Sequence, residues 1–178
     1  MELAVELVNT DQRSFDGTDG LDDLDALKVF LSEYQDLWAD VTKAPSAKDL
    51  KAIRQLRDDL RAVFAAPDEE EASHLINHLL AQHDASPRVS THNGTPHLHF
   101  EPTDATMTSW LAATTAMGLA TVLVENGLDR LGICHSTTCQ DVYVDTTRNR
   151  SRLHCSTQCS TREAVNAYRK RARTATNT

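Results

Sequence analysis

Apolar residues recur along this chain at three- and four-residue steps over long stretches, a spacing that predicts a mainly α-helical protein. From about Asp22 to Val41, the residues Leu24, Leu27, Leu31, Tyr34, Trp38 and Val41 share one helical face, and Asp22 and Asp23 suit its positive end. Pro45 breaks this helix. Ser46-Ala-Lys-Asp49 then reads as a capping box with Asp in place of Glu, opening a helix that turns Leu50, Ile53, Leu56, Leu60, Val63 and Phe64 inward. After Pro67 the acidic run Asp68 to Glu71 stands where a third helix begins, with Ala72, Leu75, Ile76, Leu79 and Leu80 inward. Carboxylates complement a helix N-terminus, so this run reads as a helix start with a solvated face, not as a metal site. Residues 104–126 form the most apolar helix, and Trp110, Leu111, Met117, Leu119, Val122 and Leu123 cover most of its faces. It belongs in the centre, covered by the others, and Asn126-Gly127 supplies its stop.

The shorter segments say less. Residues 2–9 are apolar but too few for periodicity to separate helix from strand, and Arg13 to Gly20 reads as a loop. Asn93-Gly94 lies between alternating segments and predicts one β-hairpin. His92, His97 and His99 could gather near a metal there. The plainer reading puts them on the wet face of a hairpin whose other face carries Leu98 and Phe100.

Charge divides the chain. The net charge is −8, but residues 1–133 hold 10 Lys+Arg against 23 Asp+Glu, while residues 134–178 hold 8 against 3. An acidic body thus carries a basic tail, an asymmetry that points to a polyanionic or acidic partner for the tail. No basic, apolar leader follows Met1, and the longest apolar run, Trp110 to Val124, is too short and too rich in Thr for a bilayer. These features predict a cytoplasmic protein without membrane partners. In that reducing compartment disulfides do not explain four cysteines.

All four cysteines lie in the basic tail as Cys134-x4-Cys139, fifteen residues, then Cys155-x3-Cys159. Two close pairs joined by such an excursion can aim four thiolates at one tetrahedral zinc ion. Four protein ligands leave no open position, so one structural Zn(2+) per chain is expected. Asp141-Val-Tyr-Val-Asp145 alternates as a strand should, Thr146 to Arg150 reads as a returning turn, and the sequence after Cys159 is helical. The order is knuckle, hairpin, helix: a small treble-clef-like finger over 131–178 behind a helical domain over 1–130.

These residues resemble the CGNR zinc-finger family. The resemblance rests on Cys134-x4-Cys139, Val142-Tyr-Val-Asp145, Arg148-Asn-Arg150, and Cys155-Ser-x-x-Cys159 followed by Arg162. Members place this finger behind a mostly helical domain called ABATE. Glu6-Leu-Val-Asn-Thr10 is similar to that domain's opening D-F-V-N-T, and Leu56-Arg-Asp-Asp-Leu-Arg61 to its L-R-x-x-L-R helix. The namesake Cys-Gly-Asn-Arg reads Cys159-Ser-Thr-Arg162 here, which keeps the Cys and the Arg but not the Gly-Asn turn. The family is described as stress-induced transcriptional regulators, largely bacterial, and the resemblance implies that role.

The basic residues agree with it. Arg148, Arg150 and Arg152 alternate and, if extended, face one side, while Arg162, Arg169, Lys170, Arg171 and Arg173 lie on the terminal helix. Together they offer double-stranded DNA a cationic surface. The alternative is a zinc-stabilised protein-interaction module, its basic helix docked on an acidic partner or on the chain's own body. No phosphate loop, nucleophile elbow or open metal site is present in the sequence, so no enzyme is expected. The helical domain is a candidate sensor of a small-molecule effector.

Overall fold

The structure, a computed structural model, describes residues 1–11, 13, 17–34, 44–91, 94–101 and 106–176. Its elements run α1 (Glu2–Asn9), α2 (Leu24–Ser32), α3 (Ala47–Phe64), α4 (Glu69–Gln82), β1 (Ser86–Ser90), β2 (His97–Glu101), α5 (Met107–Asn126), a 3-10 turn (Leu128–Arg130), β3 (Leu131–Ile133), β4 (Val142–Val144) and α6 (Thr157–Thr176). The protein is mainly helical, with a small hairpin and a C-terminal four-cysteine cluster.

The helix starts follow from their caps. Asp23 accepts from the N–H groups of Asp25 and Ala26 to open α2. Ser46 and Asp49 form the expected reciprocal capping box of α3, Asp68 caps α4, and Thr106 with Ser109 closes a second box on α5. The short segment 2–9 is a helix, because Leu3, Ala4, Leu7 and Val8 bury one helical face. α2 ends at Ser32, short of the expected Val41, and Trp38 and Val41 lie outside the described residues.

α5 is the centre of the body, packed by α1, α3, α4 and β2. It is long and apolar enough to cross a membrane by composition, but Trp110, Leu111, Ala112, Ala116, Leu119 and Val122 are buried in the core. Gly118 lets α1 come close: a Cβ there would stand 2.7 Å from the Met1 backbone nitrogen. Buried Thr115 is satisfied by donating to Leu111 O at 2.6 Å.

β1 and β2 pair antiparallel in the register that a turn centred on Asn93-Gly94 produces. The ladder stops at Ser90 and His97, and continuing the register puts Pro96, which has no N–H to give, opposite Thr91. The face expected to be covered is covered only in part. Leu98 is 63% exposed and its cross-strand partner Val89 71% exposed, while Phe100 is half-buried. Leu98 and Phe100 share one face of β2, so that face is covered only toward its Phe100 end. The three-histidine reading falls on His92, outside the described residues, and on His97 and His99, which stand at alternate positions of β2.

β3 and β4 form a second antiparallel pair, and Leu131, Val142 and Val144 join the same buried cluster as the helical body. The base of the finger and the body thus share one core. Gly132 lies opposite Tyr143, whose ring crosses it so closely that a Cβ would stand 2.5 Å from the ring.

Candidate metal centre and basic surface

Two segments assemble the cysteine cluster. β3 leads into Cys134, whose N–H donates to Asp141 O at 2.8 Å, so residues 134–141 close as a knuckle at the tip of the β3–β4 ladder. Within it the Cys139 N–H donates to Ser136 O at 3.4 Å. The sequence reading placed a hairpin after the first cysteine pair; the ladder instead brackets that pair, with β3 before it and β4 behind it. The second pair opens α6. The Ser156 hydroxyl accepts from the Cys159 N–H at 3.2 Å and caps the helix, which sets Cys159 in its positive first turn.

The four Sγ atoms lie within 4.8 Å of one another. Cys139 and Cys155 are 3.7 Å apart and Cys155 and Cys159 are 3.6 Å apart, far beyond a disulfide bond, and all four are free thiols. Sulfurs about 2.3 Å from a central zinc form a tetrahedron with edges of about 3.8 Å. Cys134, Cys139 and Cys159 are buried and Cys155 is half-buried. Donor type, spacing and closure all fit a structural zinc ion held by Cys134, Cys139, Cys155 and Cys159. Burial pushes the Cys139 thiol up to about 12 and drives Cys155 upward too. Burial also opposes ionisation at Cys134, where hydrogen bonds from the Cys155 and Ser136 backbones outweigh it and lower the thiol. A bound zinc ion keeps all four deprotonated.

The basic residues divide into two sets. Asp145, buried at the end of β4, accepts from Thr147 N–H at 2.7 Å and Arg152 N–H at 2.9 Å, so its side chain bends the chain back on itself. Residues 147–150 form a turn and Arg150 has φ +52°, so the alternation of Arg148, Arg150 and Arg152 does not put them on one side. Arg152 turns inward. It donates to His154 O at 2.9 Å, to Val144 O at 3.3 Å and to Cys155 O, and lies 5.0 Å from the Tyr143 ring centroid. Arg162 also faces the finger, donating to Cys159 Sγ at 3.1 Å and Ser136 Oγ at 3.0 Å. Arg150 pairs with Asp129 at 2.6 Å on the surface. Arg148 is exposed in the turn, and Arg169, Lys170, Arg171 and Arg173 are exposed on α6, which carries no buried residue beyond Glu163 among those whose burial is described.

Several residues that matter here do not appear in the sequence reading of the site. Asn9 hydrogen-bonds both ways with the β4 backbone: its Nδ2 donates to Val142 O at 2.9 Å and its Oδ1 accepts from Val142 N–H at 2.7 Å. Arg61 donates to Gln140 O in the knuckle at 2.6 Å and to Val8 O at 3.2 Å, while Gln140 N–H donates to Arg13 O at 3.1 Å. Arg57, equally buried, donates to Asp19 at 2.7 and 3.1 Å and to Thr10. The V-N-T and L-R-x-x-L-R resemblances were the available signal, since two arginines four apart on an otherwise apolar helix face call for buried acceptors. Glu163 was missed too; it accepts from the Ser136 hydroxyl at 2.9 Å and from Thr137, and the Ser136 bond holds its carboxyl below the ordinary range.

A knuckle and a helix start that bring four thiols to one point, on a helical body, define a zinc-finger protein. The chain belongs to the ABATE family, whose model, described as "Putative stress-induced transcription regulator", matches residues 1–126, and the CGNR zinc-finger model matches residues 130–172. No curated protein matches the chain.

Proposed function

We propose that this protein is a DNA-binding transcriptional regulator, without catalytic activity, whose exposed α6 and the Arg148 turn meet the phosphate backbone of duplex DNA. The observation that carries this reading is the cluster Arg169, Lys170, Arg171 and Arg173, exposed on a helix that leaves an acidic body. Guanidinium and ammonium groups there release counterions on meeting phosphates, and a helix has the width to enter a major groove. Zinc, one ion per chain, fixes where α6 starts. Arg152 and Arg162 act inside the finger in this reading, and Arg148, Arg169, Lys170, Arg171 and Arg173 carry the contact. The helical body, which shares its core with the finger, is the part that would receive a small-molecule signal in the cytoplasm.

A fluorescence-anisotropy titration of zinc-loaded protein against random duplex DNA, repeated over a salt series, tests the proposal. Replacing Arg169, Lys170, Arg171 and Arg173 with Ala should weaken binding and flatten the logarithmic salt slope by about 3 to 4. No retention of wild-type protein on DNA at low salt defeats it. One observation favours a protein partner instead: Val165 and Tyr168 are 41% and 67% exposed on the same helix. A salt-insensitive interaction lost on Tyr168→Ala would select that reading.

A further inference from the structure

We infer that Arg162 is a positioning residue of the metal centre: its guanidinium offsets the negative charge of the four-thiolate site and so sets how tightly the site holds zinc. This rests on reading the four cysteines as a zinc site, and not on the DNA proposal. Four thiolates around Zn(2+) sum to a charge of −2, and the sulfurs are mostly buried. A further carboxylate sits beside them, with Asp141 Oδ2 3.4 Å from Cys155 Sγ and Asp141 Oδ1 buried without a hydrogen-bond partner. Excess negative charge of this kind is expensive to bury unless a cation answers it.

Arg162 is placed for that purpose. It stands three residues after Cys159, on the same face of α6, and its Nη2 lies 3.1 Å from Cys159 Sγ. The same Nη2 reaches Ser136 Oγ at 3.0 Å, and that hydroxyl donates to Glu163 Oε1 at 2.9 Å. Glu163 also accepts from Thr137 N–H at 3.3 Å and Oγ1 at 3.2 Å. The guanidinium is thus aimed at the sulfur by a chain of bonds linking the start of α6 to the first knuckle. A charged N–H donor strengthens a bond to thiolate, and outer partners of this kind tune the metal a ligand set holds.

The test is zinc affinity by competition with a chromophoric chelator, with cobalt substitution to report tetrahedral thiolate coordination. Arg162→Gln should weaken zinc binding by about 10- to 100-fold while keeping the cobalt–thiolate spectrum. Arg162→Lys, which keeps the charge, should retain affinity to within about threefold, well below that range. Equal losses in both variants, or an unchanged affinity in Arg162→Gln, overturn the inference, since packing alone does not separate Lys from Gln by charge. If Arg162→Gln does not fold, Arg162→Lys decides alone, and a loss of about tenfold or more there overturns it. Wild-type protein that binds neither zinc nor cobalt removes the metal reading and this inference with it.

Discussion

Asn9 does at the level of one side chain what a strand edge does with its backbone. Its amide offers a donor and an acceptor to both polar groups of Val142, the first residue of β4. Asn9→Ala leaves both groups without these bonds, and a loss of about 1–3 kcal/mol in urea unfolding is expected. Asn9→Asp keeps the acceptor and should fall between the two. Asp11, two residues on, gives a pH signature. Burial opposes its ionisation, but hydrogen bonds from the Arg13 side chain and N–H, with the charges of Arg13 and Arg57, hold the carboxyl at about 2 against an ordinary 3.8. A depressed carboxylate contributes stability that is complete above its unfolded pKa and disappears as pH falls through the folded one. The protein should therefore lose on the order of 2 kcal/mol between about pH 4 and pH 2 that an Asp11→Asn variant does not lose, as read by urea unfolding at each pH. A variant with the same acid profile as wild type would remove Asp11 from the account.

The secondary-structure elements show which signals survive the step from sequence to structure. α3, α4 and α5 were legible because periodicity and capping chemistry are local, and Ser46, Asp68 and the Asn126-Gly127 stop act within a turn of where they stand. The cysteine cluster was legible because knuckle spacing is local as well. How far the β1–β2 hairpin is covered was not, since Leu98 and Phe100 look alike in alternation and only packing against the body leaves Phe100 half-buried and Leu98 exposed. Nor were the roles of Arg152 and Arg162, because the bend that turns Arg152 inward is made by Asp145 and the sulfur Arg162 meets is aligned by the folded finger. Gly132 adds a test at this scale. Its substitution by Ala pushes a methyl into the Tyr143 ring, and overpacking of this kind should cost about 1–3 kcal/mol, seen as a lower Tm.

For the whole molecule, the shared core matters more than the division into two parts. Leu131, Val142 and Val144 are buried with the helices, and Arg61 and Asn9 cross to the knuckle and to β4. Zinc binding and folding of the body should then be coupled, since a ligand held only by the folded state stabilises everything that folds with it. Stripping the metal with a strong chelator should lower a single unfolding transition followed by far-UV circular dichroism. A helical transition left at its original temperature would show that the body folds without regard to the finger.

The capped start of α6 has a mechanical consequence. Twenty helical residues make a rod about 30 Å long, anchored at one end through Cys159, Arg162 and Glu163 and exposed from Ala164 to Arg173. A tilt of about 10° at the anchored end swings the far tip by about 5 Å, roughly one helical pitch. The geometry is that of a pointer with high gain: any change of tilt at the anchored end moves Arg171 and Arg173 farther than it moves Cys159.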